Sequence, residues 1–388
     1  MTLGQVFLPD PCRLKLEAFE ANFGPAIEPN PKAWHYMQVL VLMAAAIEEV
    51  PWLPSNLAPG NQSGPSEFLL LGFSGFHHQQ LVLFTFFLVM YTMALVGNLS
   101  IVTTIWLDPR LQSPMYFFLG NLSLIDACFT SVTMPKLLST LLTGDTSISF
   151  CGCFCQMFFF DLLGVNEAFL LTIMAYDRYV AICVPLRYTA LVSQRICAVL
   201  VATSCSASVL HSLLHTVTIS HLSYCGRQHI HHFFCDATAL LKISCSDTSA
   251  SELVIFIEGS LLVMGPFLFI LSSYVAILTV ILKIHSAEGR KKAFSTCSSH
   301  LIVVTLFYGT VIFIYIRPSS SYSDNYDKIV SVMYSVVTPM LNPFIYSLRN
   351  TEVKEALRKV ILEKMFSQRR RVMDMIEMSK YSKGFINV

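Results

Sequence analysis

An acid and a base stand side by side where a long apolar run ends, in Met174-Ala175-Tyr176-Asp177-Arg178-Tyr179-Val180-Ala181-Ile182-Cys183. At the water edge of a membrane helix such neighbours can pair, or part when something offers a better partner. That is the chemistry of a switch. Four more carboxylates sit inside apolar runs: Asp126, Asp161, Glu167 and Glu258. A carboxylate at membrane depth is costly unless paired, protonated or metal-bound, so each is a functional candidate by default. No nucleophile–base pair, phosphate loop or tight metal motif accompanies them, so catalysis is not expected. An acid pair of Asp126 and Glu167 would also need a substrate path that nothing in the sequence supplies.

The elements that position these groups follow from composition. Hydrophobic residues make up 54% of the 388, charged residues 13%, and mean hydropathy is +0.58. Such a chain cannot cover its own surface with polar groups, so the bilayer is its solvent. A net charge of +1 gives no reason to expect nucleic acid as a partner. Twelve cysteines are too scattered for a zinc module, and several lie in apolar runs where a thiol packs as a small hydrophobe.

Residues 1–65 differ from the rest. Prolines at 9, 11, 25, 29, 31, 51, 54 and 59 punctuate them, and the run Met37 to Ile47 is too short to span. They read as a largely disordered extracellular segment. Asn61-Gln62-Ser63 offers an N-glycosylation acceptor there, whereas Asn98-Leu99-Ser100 and Asn121-Leu122-Ser123 repeat the pattern inside apolar runs and are discounted. Seven runs of spanning length follow, at roughly 81–106, 115–142, 153–182, 196–219, 252–282, 293–316 and 328–348. In lipid these must be helices, because an open strand would leave backbone groups unpaired. The expected architecture is an all-α membrane protein, a seven-helix bundle over 66–350 with a tail at 351–388 that carries a short amphipathic helix.

Lys and Arg in the short loops set its orientation. Arg110, Arg178, Arg187, Arg195, Lys283, Arg290, Lys291 and Lys292 fall on one side; Arg227, Lys242, Arg317 and Lys328 fall on the other. The richer side is cytoplasmic, which places the N-terminus outside and the C-terminus inside. The tail run Arg369-Arg370-Arg371 is either a solvated patch or a contact for anionic lipid headgroups. A transporter or channel would show polar residues lining several spans, or matched broken helices in two halves, and neither is found.

Several motifs occur in a telling order. They are Gly97-Asn98; Leu111-Gln112-Ser113-Pro114-Met115-Tyr116-Phe117-Phe118-Leu119 with Asn121-Leu122-Ser123 and Asp126; the stretch ending at Cys183 followed by Pro185-Leu186-Arg187-Tyr188; Lys292-Ala293-Phe294-Ser295-Thr296-Cys297-Ser298-Ser299-His300; and Pro339-Met340-Leu341-Asn342-Pro343-Phe344-Ile345-Tyr346-Ser347-Leu348-Arg349-Asn350. From about residue 66 to 360 the chain resembles odorant receptors, a family of rhodopsin-like G-protein-coupled receptors.

The resemblance implies a small volatile ligand and a stimulatory heterotrimeric G protein, with Asp177, Arg178 and Tyr179 at the coupling end. It implies residence in the plasma membrane of sensory cilia, and no cofactor beyond a candidate sodium ion. Asp126 and Glu167 are then expected to approach each other, holding that ion or sharing a proton. Pro343 should free a backbone carbonyl that Asn342 can satisfy again, giving either a static kink or, as favoured here, a helix able to bend, with Tyr346 swinging on it. The resemblance assigns disulfides Cys153–Cys235 and Cys225–Cys245; the sequence alone allows three pairings of the four. His229, His231 and His232 depart from the family and either bind zinc or copper, respond to mild acid, or sit in a solvated loop.

The family's ligand pocket lies between outer helix halves. Here that points to Asp161, Gly164, Val165 and Ala168 on one face of the third helix, Glu258 and Leu262 on the fifth, and Tyr308, Val311, Ile312 and Tyr315 on the sixth. Asp161 or Glu258 can accept a hydrogen bond from an odorant amine or hydroxyl, or can pair with groups on neighbouring helices.

Overall fold

The computed structural model describes residues 67–73, 79–226, 228–315, 324–349 and 352–359. Asn61 and the Arg369–Arg371 run lie outside them. Among the described residues, seven helices are long and apolar enough to cross a membrane. They are α1 (Gln80–Leu107), α2 (Pro114–Thr143), α3 (Phe150–Cys183), α4 (Gln194–Ser220), α5 (Ser249–Leu282), α6 (Ala287–Tyr315) and α7, which runs Asp324–Val332, a π turn Met333–Val337, then Thr338–Arg349. An eighth helix, α8, covers 352–359. Each expected span falls inside one of the seven, residue 316 excepted because it lies outside the described residues. The sixth starts six residues before its expected start, since the polar stretch from Ala287 can stay helical in water without any apolar signal.

Polar residues are accommodated along these helices by their own backbone. Thr85, Thr92 and Thr103 on α1 donate to the carbonyls of Leu81, Leu88 and Leu99, at 2.7–2.8 Å. A hydroxyl satisfied in this way can face lipid without an orphaned donor. On α4 the buried stripe is Cys197, Ser204, Ser208, Ser212, His215 and Ile219. Such small residues let α4 approach α3 closely, and Ser204 donates to Asn166 on α3 across the gap. The third helix is central, packing on α2, α4 and α5.

The outer end carries something the sequence reading did not foresee. A short strand β1 (Glu67–Leu70) lies between β2 (Ser147–Ser149), antiparallel to it, and β3 (His229–Ile230), parallel to it. Phe68 and Leu70 point inward and Glu67 outward, the alternation of a pleated strand. Strands of two to four residues are too short for any periodic signal to reveal. Phe68 and Leu70 join Ile148, Phe154, Met157, Tyr224 and Leu240 in an apolar cluster separate from the main bundle core. Two disulfides close this cap, Cys153–Cys235 and Cys225–Cys245, the pairs that the resemblance assigns. Cys151 and Cys155, beside Cys153, remain thiols.

Candidate functional site

At the inner end Asp177 is buried and accepts a hydrogen bond from the Tyr188 hydroxyl at 2.7 Å. Tyr188 opens a short helix, Tyr188–Leu191, just after α3. Burial, and then the carboxylate of Asp177, push the Tyr188 phenol well above its usual range, so it remains a donor. No ion pair within contact distance joins Asp177 to Arg178, although the guanidinium still acts on the carboxylate through space; the hydrogen-bonded clasp is Asp177–Tyr188. Successive residues on a helix diverge by about 100°, so adjacent side chains do not face each other. Arg178 lies within electrostatic reach of Tyr274 on α5, His300 on α6 and Tyr346 on α7, and its Nε has no hydrogen-bond partner. Tyr179 packs against the core beside it.

The sixth helix, α6, is tied to α3 by two side chains that donate to backbone carbonyls. His300 Nε2 lies 3.0 Å from the Leu171 carbonyl while its Nδ1 meets the Tyr274 hydroxyl at 2.8 Å. Nearly one turn higher, Tyr308 donates to Ala168 at 3.3 Å, its ring packed on Phe267. His300 ends a family motif, but its part in joining three helices was invisible before the packing was known.

The middle of the bundle holds the buried amides and acids. Pro343 frees the Pro339 carbonyl, and the donor that replaces the lost amide is Asn98 on α1, at 2.9 Å. The expectation that Asn342 would do this is corrected. Asn342 instead donates to Asp126 Oδ2 at 2.8 Å. Gly97 explains why α1 comes so near: a Cβ there would meet Pro343 carbons at 3.0 Å. Among the described residues, Asp126 Oδ1, both Glu167 oxygens, Asn98 Oδ1, Asn342 Oδ1 and the Tyr346 hydroxyl are buried without a hydrogen-bond partner. The charges of Asp126 and Glu167 are close enough to interact.

Of the residues expected to meet a ligand, two come together. Glu258 Oε2 lies 3.0 Å from His215 Nε2 and 3.8 Å from His211 Nδ1, and Asp161 offers an oxygen to the same pair of imidazoles. The inter-helix partner of Glu258 is thus a histidine on α4, not Ser, Thr or backbone, while Asp161 lies near the same imidazoles with its Oδ2 unpaired. The signal in the sequence is His211 and His215, four apart in an apolar run. Gly164 faces Phe129 on α2. Val165 and Leu262 are half-buried, Tyr308 and Val311 are buried, and Ile312 packs on the main core. The side chain of Tyr315 lies outside the described residues. A separate cleft of about 230 Å³ opens at the cap, among Leu70, Phe73, Leu141 and Phe233.

The three loop histidines do not converge. His229 and His231 are exposed, while His232 turns inward, stacks on Phe233 and meets Ser331 of α7 at 3.1 Å. Burial brings the His232 imidazole down to about 4. The metal reading of this loop is not supported, because His232 turns into the core away from the exposed His229 and His231.

Comparison with known proteins completes the description. A family model described as "Olfactory receptor" matches residues 87–364. Olfactory receptor 1f45 of Rattus norvegicus is 51% identical over 301 residues, 78% of this chain and 96% of that protein. Olfactory receptor 1F1 of Homo sapiens is 52% identical over 79% of this chain and 98% of its own length. Olfactory receptor 1E5 of Pan troglodytes is 53% identical, over 78% and 97%.

Proposed function

This chain belongs to the olfactory receptor family, a family of receptors and not of enzymes, and on that premise we propose that a small volatile ligand binds between its outer helix halves. Binding is relayed to a stimulatory heterotrimeric G protein and raises cyclic AMP. The chain is a multi-pass membrane protein; we assign it to the plasma membrane of olfactory sensory cilia, its tail against anionic lipid.

The observation that carries this reading is the attachment of α6 to α3 through Tyr308 and His300, with Arg178 next along the same seam. A ligand seated against Asp161, Gly164, Val165, Glu258, Leu262, Tyr308, Val311, Ile312 and Tyr315 pulls on Tyr308 and loosens that attachment. The inner end of α6 then swings, Tyr188 lets go of Asp177, and Arg178 is presented to the G protein together with Tyr179. Ligand free energy moves the balance only by its differential affinity for the two arrangements. The orphaned oxygens of Asp126, Glu167 and Asn342 suit a hard monovalent cation, which would favour the closed arrangement; a shared proton between the two acids would serve the same end. The hinge at Asn342-Pro343 and the swing of Tyr346 belong to the same step.

The test is agonist-dependent cyclic AMP in cells expressing the chain, screened against an odorant panel. Arg178→Ala should abolish the signal without abolishing surface expression. A response that persists in Arg178→Ala removes the coupling assignment. A response to every agonist unchanged by Asp161→Asn and Glu258→Gln removes those two from the pocket.

A further inference from the structure

On the seam where α3, α4 and α5 meet, four side chains from three helices turn toward one another. His211 and His215, one turn apart on α4, bring their rings to 4.2 Å between centroids. One donor atom each of Asp161, His211 and His215 lies within 4.8 Å of the others. Glu258 adds an oxygen 3.0 Å from His215 and 3.8 Å from His211. Counted down from the outer helix ends, all four sit about 8–17 Å deep.

We propose that Asp161, His211, His215 and Glu258 form a binding site for a divalent cation of the zinc type. Two imidazoles and two carboxylates are a four-coordinate zinc donor set. Zinc–ligand bonds of about 2.0–2.2 Å put tetrahedral ligand atoms about 3.3–3.6 Å apart. The Glu258–histidine separations already bracket that spacing, and Asp161, within 4.8 Å of both imidazoles, would have to draw closer to complete the set. Asp161 Oδ2 is a second, independent pointer, since it is buried with no hydrogen-bond partner. Two carboxylates also cancel the charge of the ion, which makes a divalent cation tolerable at this depth. With no thiolate or thioether in the set, the chemistry selects zinc-like or cupric ions over cuprous. The ion would clamp the outer halves of α3, α4 and α5 together. This goes beyond the receptor reading and stands whether or not either carboxylate touches an odorant.

The test uses the full chain, purified in detergent, stripped with a chelator and titrated with Co2+, then Zn2+. The unsubstituted receptor should take up one Co2+ with the intense visible absorption of four-coordinate cobalt, and Zn2+ should displace it. Asp161→Asn and Glu258→Gln, which preserve side-chain shape, should each weaken Co2+ uptake at least ~10-fold, roughly the loss of one oriented ligand. The double variant His211→Ala/His215→Ala should abolish uptake, while His229→Ala/His231→Ala should leave it intact. A pale six-coordinate spectrum, or no stoichiometric uptake by the unsubstituted receptor, overturns the proposal, and this arm needs no variant to fold. So does absorption dominated by sulfur-to-cobalt charge transfer, which would put the ion on the free cysteines. Uptake that survives the double variant overturns it as well.

Discussion

Among the described residues, the cluster around Phe68 and Cys235 pairs its own buried side-chain polar atoms, with unpaired hydroxyls only at Thr133 and Thr216 on its border; around Asp126 and Asn342 such atoms gather. In the cap Gln156 is the example. Its amide donates to the Val132 carbonyl of α2 at 3.0 Å while its oxygen accepts from the Cys235 amide at 2.9 Å, so helix, helix and loop are pinned by one side chain. Aromatic rings fill the remaining space, with Phe68 edge-on to Tyr224 at 5.3 Å and Phe150 tilted on Phe154 at 4.6 Å. Disulfides then close it. In the bundle middle the same kinds of group are under-satisfied. An unpaired buried polar group costs about 1–3 kcal/mol, so that region has a standing reason to adopt another arrangement. The cap has none. The contrast divides a closely paired lid from an interior whose polar groups call for a further partner, such as the shared proton or cation proposed above.

The largest effect should come from opening the lid. Cys235→Ser removes a bridge that closes a long loop and should cost about 2–5 kcal/mol, read as a lowered thermal unfolding midpoint and loss of surface expression. If the midpoint stays put, the lid is not held covalently in the way described. Next comes the hinge. Asn98→Ala deprives the Pro339 carbonyl of its donor, at about 1–3 kcal/mol, partly offset because the orphaned Asn98 oxygen goes too. The same thermal assay checks it, and a change in basal cyclic AMP would show that the hinge carries the conformational balance.

A smaller change is expected at the inner clasp. Tyr188→Phe removes one hydrogen bond to Asp177, worth about 0.5–1.5 kcal/mol, and should raise basal signalling several-fold while surface expression holds. Unchanged basal signalling would demote the clasp to local packing. The smallest effect near neutral pH belongs to His232. Buried and neutral in the folded chain, it takes a proton only near pH 4, whereas the unfolded loop does so near 6.5. The unfolded state therefore binds more protons in that window, and stability present above pH 6.5 declines as pH falls toward 4. His232→Gln should flatten this part of the stability–pH curve, as measured by thermal unfolding across buffers.

The helices were legible because lipid demands long apolar runs and nothing else in the chain imitates them. The placement of Cys153 at the head of α3 and Cys235 in the loop was also legible, once the likeness to odorant receptors assigned their partners. What escaped detection depended on partners distant in sequence. Asn98 and Pro339 are 241 residues apart, and only the close passage of Gly97 against Pro343 shows which amide meets which carbonyl. Asp177 and Arg178 misled for the opposite reason, since adjacency in sequence looks like contact while helical geometry separates them. His215 and Glu258 were each visible as polar residues in apolar surroundings, yet their meeting required the crossing of α4 and α5. The three-stranded sheet was beyond reach because backbone pairing over two to four residues leaves no trace in composition.

The π turn at Met333–Val337 has a consequence for how α7 can change length. A π turn accommodates one residue more than an α turn, so it works as a stored spare within an otherwise regular rod. Deleting a single residue there would relax the turn to ordinary helix and leave Asn342 facing Asp126. The same deletion one turn further on, past Thr338, would rotate everything below by about 100° and carry Asn342 off its partner. Along this helix, a one-residue deletion should be forgiven within Met333–Val337 and punished below Thr338.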